Sequence, residues 1–316
     1  MRPFRFGVLA ENVVSRDAVL DTARRAEDEG FSTFLIRDHF IPEPFGHQLA
    51  PIATIATAAS VTKRLRIGSF VFCNDYRHPV LLAKEAATLD LLSEGRMEIG
   101  LGAGFSRSEY EQAGLTFEPA ATRIERLGES VRLIKDLFSG NPIDFSGNHY
   151  KVSGLQSFPL PVQRPRPPIL IAGTSSRMLA LAAAEADIVG FQTVSTATGA
   201  VVQDPALRTA ETVRDKLAQL RRLAGDRFSE LELNVTATVI VTDDRRSAAE
   251  DFARARGWSG FPIDDVLNMP SVFIGSADMI VAEMQSRRET FGFSYFVVPA
   301  HVLGAVAPVV RRLAER

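Results

Sequence analysis

Residues 64–106 restrict the possible folds more than any other stretch of the chain. They run RLRIGSFVFCNDYRHPVLLAKEAATLDLLSEGRMEIGLGAGFS. An apolar, β-branched segment at 65–72 gives way to a polar break (Asn74, Asp75, Arg77) and then to Pro79. Proline suits the first turn of a helix, where its missing N–H has no intrahelical partner to lose. From 80 to 92 the apolar residues recur at helical spacing, and Ser93-Glu94-Gly95 stops the helix. A second apolar run, 97–101, ends among Gly100, Gly102 and Gly104. Strand, helix, strand is a βαβ unit. Its parallel strands deliver their C-terminal ends to one face of a sheet, where α/β proteins place their ligands.

The same alternation fills the rest of the chain. Residues 4–10 read as strand one. Ser15 then caps a helix that Gly30 ends. Residues 33–36 are strand two, with Arg37-Asp38-His39 at its C-terminal end. A proline-containing loop at 41–46 leads to a helix over 49–60. The 64–106 unit supplies strands three and four. A helix over 121–138 follows, and 141–154 break the rhythm as a hairpin excursion. Strands five and six fall at 168–172 and 187–191, and 192–205 read as a polar, mobile loop. A helix over 211–224 precedes strand seven (233–242), and 247–256 are helical. Residues 257–273, with Trp258, read as an irregular insertion. A helix over 276–291, strand eight (295–298) and a terminal helix (303–316) complete eight strand–helix units. The fold class is therefore α/β, and the architecture a single (β/α)8 TIM barrel over 1–316 with excursions after units four and seven. An open doubly wound sheet would want a glycine-rich phosphate loop after strand one, where this chain reads Ala10-Glu11-Asn12-Val13.

Composition excludes several classes. With 316 residues, 46% of them hydrophobic, the chain can bury a large core without staples. One cysteine, Cys73, forbids an intrachain disulfide and points to a reducing, cytoplasmic location. Met1-Arg2-Pro3 runs straight into strand one, so neither a secretory signal nor a membrane span is expected. A net charge of −2 without a Lys/Arg run gives no reason to expect nucleic acid as a partner. A small-molecule substrate is the expected partner. The only lysines are Lys63, Lys84, Lys135, Lys151 and Lys216, so anions would fall mostly to arginine or backbone N–H groups. The histidines (His39, His47, His78, His149, His301) show no HxH or HxxxH spacing, and no metal is expected. No GxSxG elbow occurs, and Cys73 reads as a small apolar filler.

In a barrel the site is assembled from strand ends. Asp38-His39 follows a buried strand. His39 either serves a ligand, since it titrates near neutrality, or with Asp38 ties down the next loop. Gly102-Ala103-Gly104 allows close backbone approach to a flat or phosphorylated ligand. Ala172-Gly173-Thr174-Ser175 opens a helix, whose N-terminus either favours an anion or is simply capped. Gly190 and Phe191 end strand six. Ala53, Ala56 and Ala59, then Ala83, Ala86 and Ala87, put small residues on two helices, facing the barrel or a second subunit.

These segments closely resemble the luciferase-like flavin/deazaflavin oxidoreductases. The likeness rests on the 64–104 stretch, the Asp38-His39 pair, ILIAGTS and the terminal FGFSYFVV, and it spans nearly the whole chain. Within that superfamily it is most similar to the actinobacterial F420-dependent oxidoreductases. The resemblance implies a wide cofactor pocket at the C-terminal face and a non-proline cis peptide within Phe70-Val71-Phe72. It implies coenzyme F420, or alternatively FMN, held by Asp38, Phe70, Val71, Phe72, Gly102, Ala103, Gly104, Ala172, Gly173, Thr174, Ser175, Gly190 and Phe191. His39 would be the polar group nearest the reacting centre. A homodimer through helices two and three is implied as well. Related sugar-phosphate dehydrogenases carry a glutamate just after the strand-four glycines, where this chain reads Phe105-Ser106. They carry a tryptophan beyond the Asp-His pair, where it reads Glu43, Pro44 and Phe45. Their phosphate-binding lysines have no evident counterparts. The expectation is hydride transfer between F420 and a neutral or apolar substrate facing Phe45, Phe72, Phe105 and Phe191. The alternatives are an FMN-dependent monooxygenase and a catalytically silent flavin-binding protein.

Overall fold

The computed structural model describes residues 2–196 and 198–314. In chain order its first half comprises β1 (Arg5–Leu9), α1 (Arg16–Asp28), β2 (Thr33–Ile36), α2 (Pro51–Ser60), β3 (Arg66–Ser69), β4 (Phe72–Cys73), α3 (Pro79–Leu92), β5 (Met97–Gly102), α4 (Arg107–Gln112) and α5 (Ala120–Leu137). A hairpin of β6 (Ile143–Ser146) and β7 (Lys151–Leu155) follows. Then come β8 (Ile169–Ala172), α6 (Ser176–Glu185), β9 (Ile188–Phe191), α7 (Ala210–Ala224), β10 (Glu232–Thr236), β11 (Thr238–Val241), α8 (Arg245–Ala255) and α9 (Ile263–Leu267). β12 (Val272–Gly275), α10 (Ala277–Phe291), β13 (Phe293–Pro299) and α11 (Leu303–Leu313) end the chain.

One parallel sheet runs β3-β2-β1-β13-β10-β9-β8-β5-β4, and β3 also pairs with β5, which closes it. β3 and β4 are two parts of one barrel strand, so the barrel has eight, as a (β/α)8 fold requires. The expected hairpin after unit four is β6–β7. Strand seven departs from expectation: it splits at Ala237, and β11 leaves the barrel to pair with β12. The insertion at 257–273 is correspondingly less irregular than its sequence, since it holds α9 and the start of β12. It has its own small core, in which Phe252, Trp258, Val266, Met269 and Ile274 are buried together. The terminal helix ends at Leu313; its last two expected residues, and Ala197 of the expected mobile loop, lie outside the described residues.

Strand alternation sets the layers. Outward side chains such as Phe6, Val8, Phe34, Ile67 and Phe296 join the apolar faces of the helices in the main core. Inward side chains fill the barrel in tiers. At the N-terminal end Arg5 pairs with Glu98 and Glu232 and stacks 4.3 Å over the Tyr295 ring. Above it Leu9, Leu35, Phe70, Leu170, Ile188 and Val297 form an apolar plug. Gly7 makes room for the Tyr295 ring: a Cβ there would lie 3.1 Å from both Leu35 Cδ1 and Tyr295 Cε2.

The α3 alanines take the first of the two faces expected for them. Ala83, Ala86 and Ala87 are fully buried against the barrel, so they do not face a second subunit. The outer face of α3 carries Leu81, Leu91 and Leu92, all exposed. On α2, Ala53 and Ala56 are exposed and Ala59 is half-buried.

The expected non-proline cis bond is Phe70–Val71. The neighbouring strand accommodates this segment with glycine. A Cβ on Gly102 would sit 2.6 Å from Val71 Cγ2, and one on Gly100 would strike the Ser69 carbonyl. Gly102→Ala should lower stability in denaturant unfolding by about 1–3 kcal/mol through overpacking. If Val71 is the cause, the Gly102→Ala/Val71→Ala double variant loses less than the sum of the two single losses; additive losses would locate the clash elsewhere.

Candidate active site

The C-terminal strand ends surround a cavity of about 750 Å³. Its floor is the apolar plug, from which Phe70 and Val71 emerge. Gly102, Ala103 and Gly104 form one wall, and the glycines can present only backbone there. That turn is pinned from behind by Arg123, which donates to the Ala103 and Gly104 carbonyls and stacks on Phe117. Ala172, Gly173, Thr174 and Ser175 form the adjoining wall at the start of α6, beside the end of the paired strand β5. Ser175 caps that helix by accepting from the Met178 N–H, and Thr174 Oγ1 donates to the Gln192 carbonyl.

Two expected contact residues lie elsewhere. Phe72 is fully buried in the core facing the helices, because strand alternation turns it away while Val71 and Cys73 point in. Gly190 sits below the cavity, where its carbonyl accepts the Gly173 N–H and a Cβ would press on Ala172 and Leu170. Phe191 lines the cavity from the end of β9.

Asp38 also lines it, but its carboxylate is committed. Both oxygens take the Arg77 guanidinium, at 2.5 and 3.0 Å, and Oδ2 also accepts the Cys73 N–H. Asp38 thus fastens the end of β2 to the turn after β4 and fixes the path of the following residue, His39. Burial pushes the Cys73 thiol up to about 12, so it stays protonated and unreactive, as the filler reading requires.

His39 is held from three sides. Its ring contacts Phe45 and Phe105, with centroids 5.3 and 5.7 Å away. Nδ1 lies 2.9 Å from Glu109 Oε2. Glu109 is buried and also receives the Phe40 N–H and the Tyr76 hydroxyl. Burial alone would raise the Glu109 carboxyl, but the hydrogen bond from His39 and its charge, with the Phe40 amide, hold it below the usual carboxylate range. A carboxylate at Nδ1 favours the proton on that nitrogen, which leaves Nε2 as the ring nitrogen not engaged by Glu109.

Glu109 is a site residue that sequence reading missed. The place just after the glycines is apolar Phe105, but one turn further on, α4 brings a carboxylate back to His39. The signal was weak: a six-residue helix behind Ser106, in a stretch of charged and polar residues. Glu11 was placed only at a strand end; its 2.6 Å ion pair with Arg37, which stacks 3.8 Å over Phe45, completes this side of the cavity. On the far side lie Arg208, Lys216 and Arg256, none of which the sequence singled out. Away from the cavity, Glu125, Glu129 and His149 come within ligand distance of one another. Glu129 already accepts the N–H groups of Asn148, His149 and Tyr150, so it serves as the clasp of the β6–β7 turn.

Comparison with known proteins bears on the whole chain. Residues 3–292 match the family described as luciferase-like monooxygenase. A relative from Nakamurella multipartita, named F420-dependent glucose-6-phosphate dehydrogenase, is 30% identical over 265 residues, covering 83% of this chain and 74% of that protein. One of the same name from Amycolatopsis mediterranei is 34% identical over 167 residues, 52% of this chain; the chain spans 50% of that relative's length. A structure titled F420-dependent secondary alcohol dehydrogenase in complex with an F420-acetone adduct has the same fold, with a TM-score of 0.77 at 20% identity over 99% of this chain and 98% of that one.

The Glu109 geometry has a pH signature. Its carboxyl titrates lower in the folded chain than the value of about 4.3 of an unfolded glutamate. The stability it contributes is therefore complete above that value and is lost as pH falls through the folded-state value. Glu109→Gln should be about 1–3 kcal/mol less stable than wild type at neutral pH, and should lose less stability on acidification from about pH 5 to about pH 3. Denaturant unfolding at the three pH values checks this; parallel acid losses would mean that Glu109 is not held low.

Proposed function

The chain belongs to the luciferase-like monooxygenase family, and on that premise we propose that it transfers hydride between coenzyme F420 and a small organic substrate beside His39. The observation that carries the reading is the His39–Glu109 pair at the mouth of the glycine-walled cavity. The names of the relatives from Nakamurella and Amycolatopsis support F420 over FMN.

The cavity fits a flat ring with an anionic tail. Val71 and the 102–104 backbone would back the ring, and Thr174 and Ser175 at the start of α6 would meet the tail, with Lys216 Nζ 3.2 Å from Thr174 Oγ1. When bound, the deazaflavin supplies the two-electron hydride acceptor or donor. Removing hydride from a carbon that bears a hydroxyl leaves a proton on the oxygen, and His39 Nε2 takes it as the carbonyl forms. In the reverse direction Nε2 returns it. The Glu109 carboxylate holds the imidazole in the required tautomer and favours the imidazolium that proton uptake creates. Phe45, Phe105 and Phe191 surround the reacting centre with apolar surface, which excludes water and suits a neutral substrate moiety.

Titrating the purified chain separately with F420 and with FMN tests the cofactor. F420 should bind; tight FMN binding without F420 binding would sink the proposal, and oxygen uptake dependent on reduced FMN would favour the monooxygenase. His39→Ala should retain F420 binding while hydride transfer falls by about 10²–10⁴-fold. A catalytically silent binding protein would show no such loss.

The assembly proposed is a homodimer in the cytoplasm, formed through the outer faces of α2 and α3. Leu81, Leu91 and Leu92 form an exposed apolar row that a partner would cover. Leu81→Asp/Leu92→Glu should shift the sedimenting species from dimer to monomer while leaving the fold intact by circular dichroism. An unchanged dimer would move the interface elsewhere.

A further inference from the structure

The charges in the main cavity are divided unevenly. On the His39 side every carboxylate is matched: Glu11 with Arg37, Asp38 with Arg77 and Glu109 with His39. On the opposite side stand Arg208, in the turn before α7, Arg256, at the end of α8, and Lys216 on α7. Among the described residues no carboxylate stabilises any of the three, and burial lowers the pKa of each. Arg208 is depressed to about 10, first by burial and then by the positive charge of Arg256.

The two guanidinium groups are built into place. Arg208 is 7% exposed and donates to Gln203 Oε1 at 2.7 Å, while Trp258 Nε1 donates to the Gln203 carbonyl at 2.6 Å. Arg256 stacks 3.7 Å over Phe252, and both guanidiniums lie over Trp258, at 5.5 and 5.8 Å. Stacking engages their faces, and Arg208 uses one edge on Gln203. Nε of Arg208 and Nε of Arg256 are both buried without a hydrogen-bond partner. Two like charges with orphaned donors are unfavourable in a buried wall unless an anion completes them. Planar guanidiniums match carboxylate and phosphate oxygens in pairs.

We propose that Arg208 and Arg256 form an anion-binding subsite of the active-site cavity that receives a carboxylate or phosphate group of a bound ligand. The inference rests on the proposed reading only in treating this cavity as the active site. It narrows the neutral-substrate expectation to the part of the ligand beside His39. The anion belongs either to the substrate or to the cofactor's phosphate- and glutamate-bearing tail.

The test uses the full chain, the single variants Arg208→Gln and Arg256→Gln, and the double variant. The melting midpoint is followed against inorganic phosphate, with chloride at matched ionic strength as control. Binding of F420 is compared with that of the deazaflavin lacking its phosphate and glutamate tail. Phosphate should raise the wild-type midpoint and leave that of the double variant unmoved. If F420 then binds about tenfold or more weakly to the double variant while the tail-less ring is unaffected, the anion is the cofactor's tail. If F420 affinity is unchanged and only the phosphate response is lost, the anion is the substrate's. An equal phosphate response and equal F420 affinity in wild type and folded variants would overturn the subsite. Should the double variant not fold, half-exposed Arg256→Gln alone decides, because it should already weaken the phosphate response, and an undiminished response would overturn the subsite. Absence of any F420 binding would strike the hydride-transfer reading and leave the phosphate result standing by itself.

Discussion

The third barrel strand approaches the fourth, β5, backbone to backbone, and the rest of the site depends on that contact. A Cβ on Gly68 would meet the Glu98 carbonyl, one on Gly100 the Ser69 carbonyl, and one on Gly102 the Val71 side chain. Only residues without side chains let β3, β4 and β5 stay paired while the strand between them breaks at 70–71. Phe70 and Val71 face the barrel mouth, and the Cys73 N–H and Arg77 just beyond them meet Asp38. Asp38 then fixes the end of β2, and His39 is the next residue. A packing constraint between two backbones thus sets the position of the one imidazole that faces the cavity with a buried carboxylate behind it.

The cavity is electrostatically two-sided. Near His39 the acids and bases cancel in pairs, and aromatic rings fill the space between them. Matched charges leave a nearly neutral surface around the His39 ring, whose Nδ1 is held by Glu109. Across the cavity Arg208, Arg256 and Lys216 have no acidic counterpart among the described residues. Burial of the two arginines is tolerated because the aromatic faces of Trp258 and Phe252 replace part of their hydration. The cavity is thus cationic at one end and apolar, with paired charges, at the other.

Sequence reading found the barrel because short apolar strands recur with helical stretches between them, and the strand ends other than that of strand seven could be placed to within a few residues. It failed where local pattern and tertiary pairing disagree. The β-branched run at 233–242 reads as one strand, yet β11 leaves the barrel, because the Trp258 insertion supplies a second partner strand and a separate core. The α3 alanines look like a free face, yet they are the contact with the barrel, and the exposed leucines lie on the other side. Phe72 looked like a cavity residue because its neighbours are, and strand alternation turned it away.

The sequence by itself determined the class, the closure and most of the cavity's wall. Apolar runs, caps and glycines act locally, and a parallel barrel gathers strand ends at one mouth whatever the loops do. Only the tertiary structure decided which charges meet. Glu109 reaches His39 across 70 positions, and Arg208 and Arg256 come together from separate excursions. No spacing rule encodes such pairs. Their partners are chosen by where loops of unrelated sequence come to rest on the barrel rim, and there burial makes each matched or unmatched charge count.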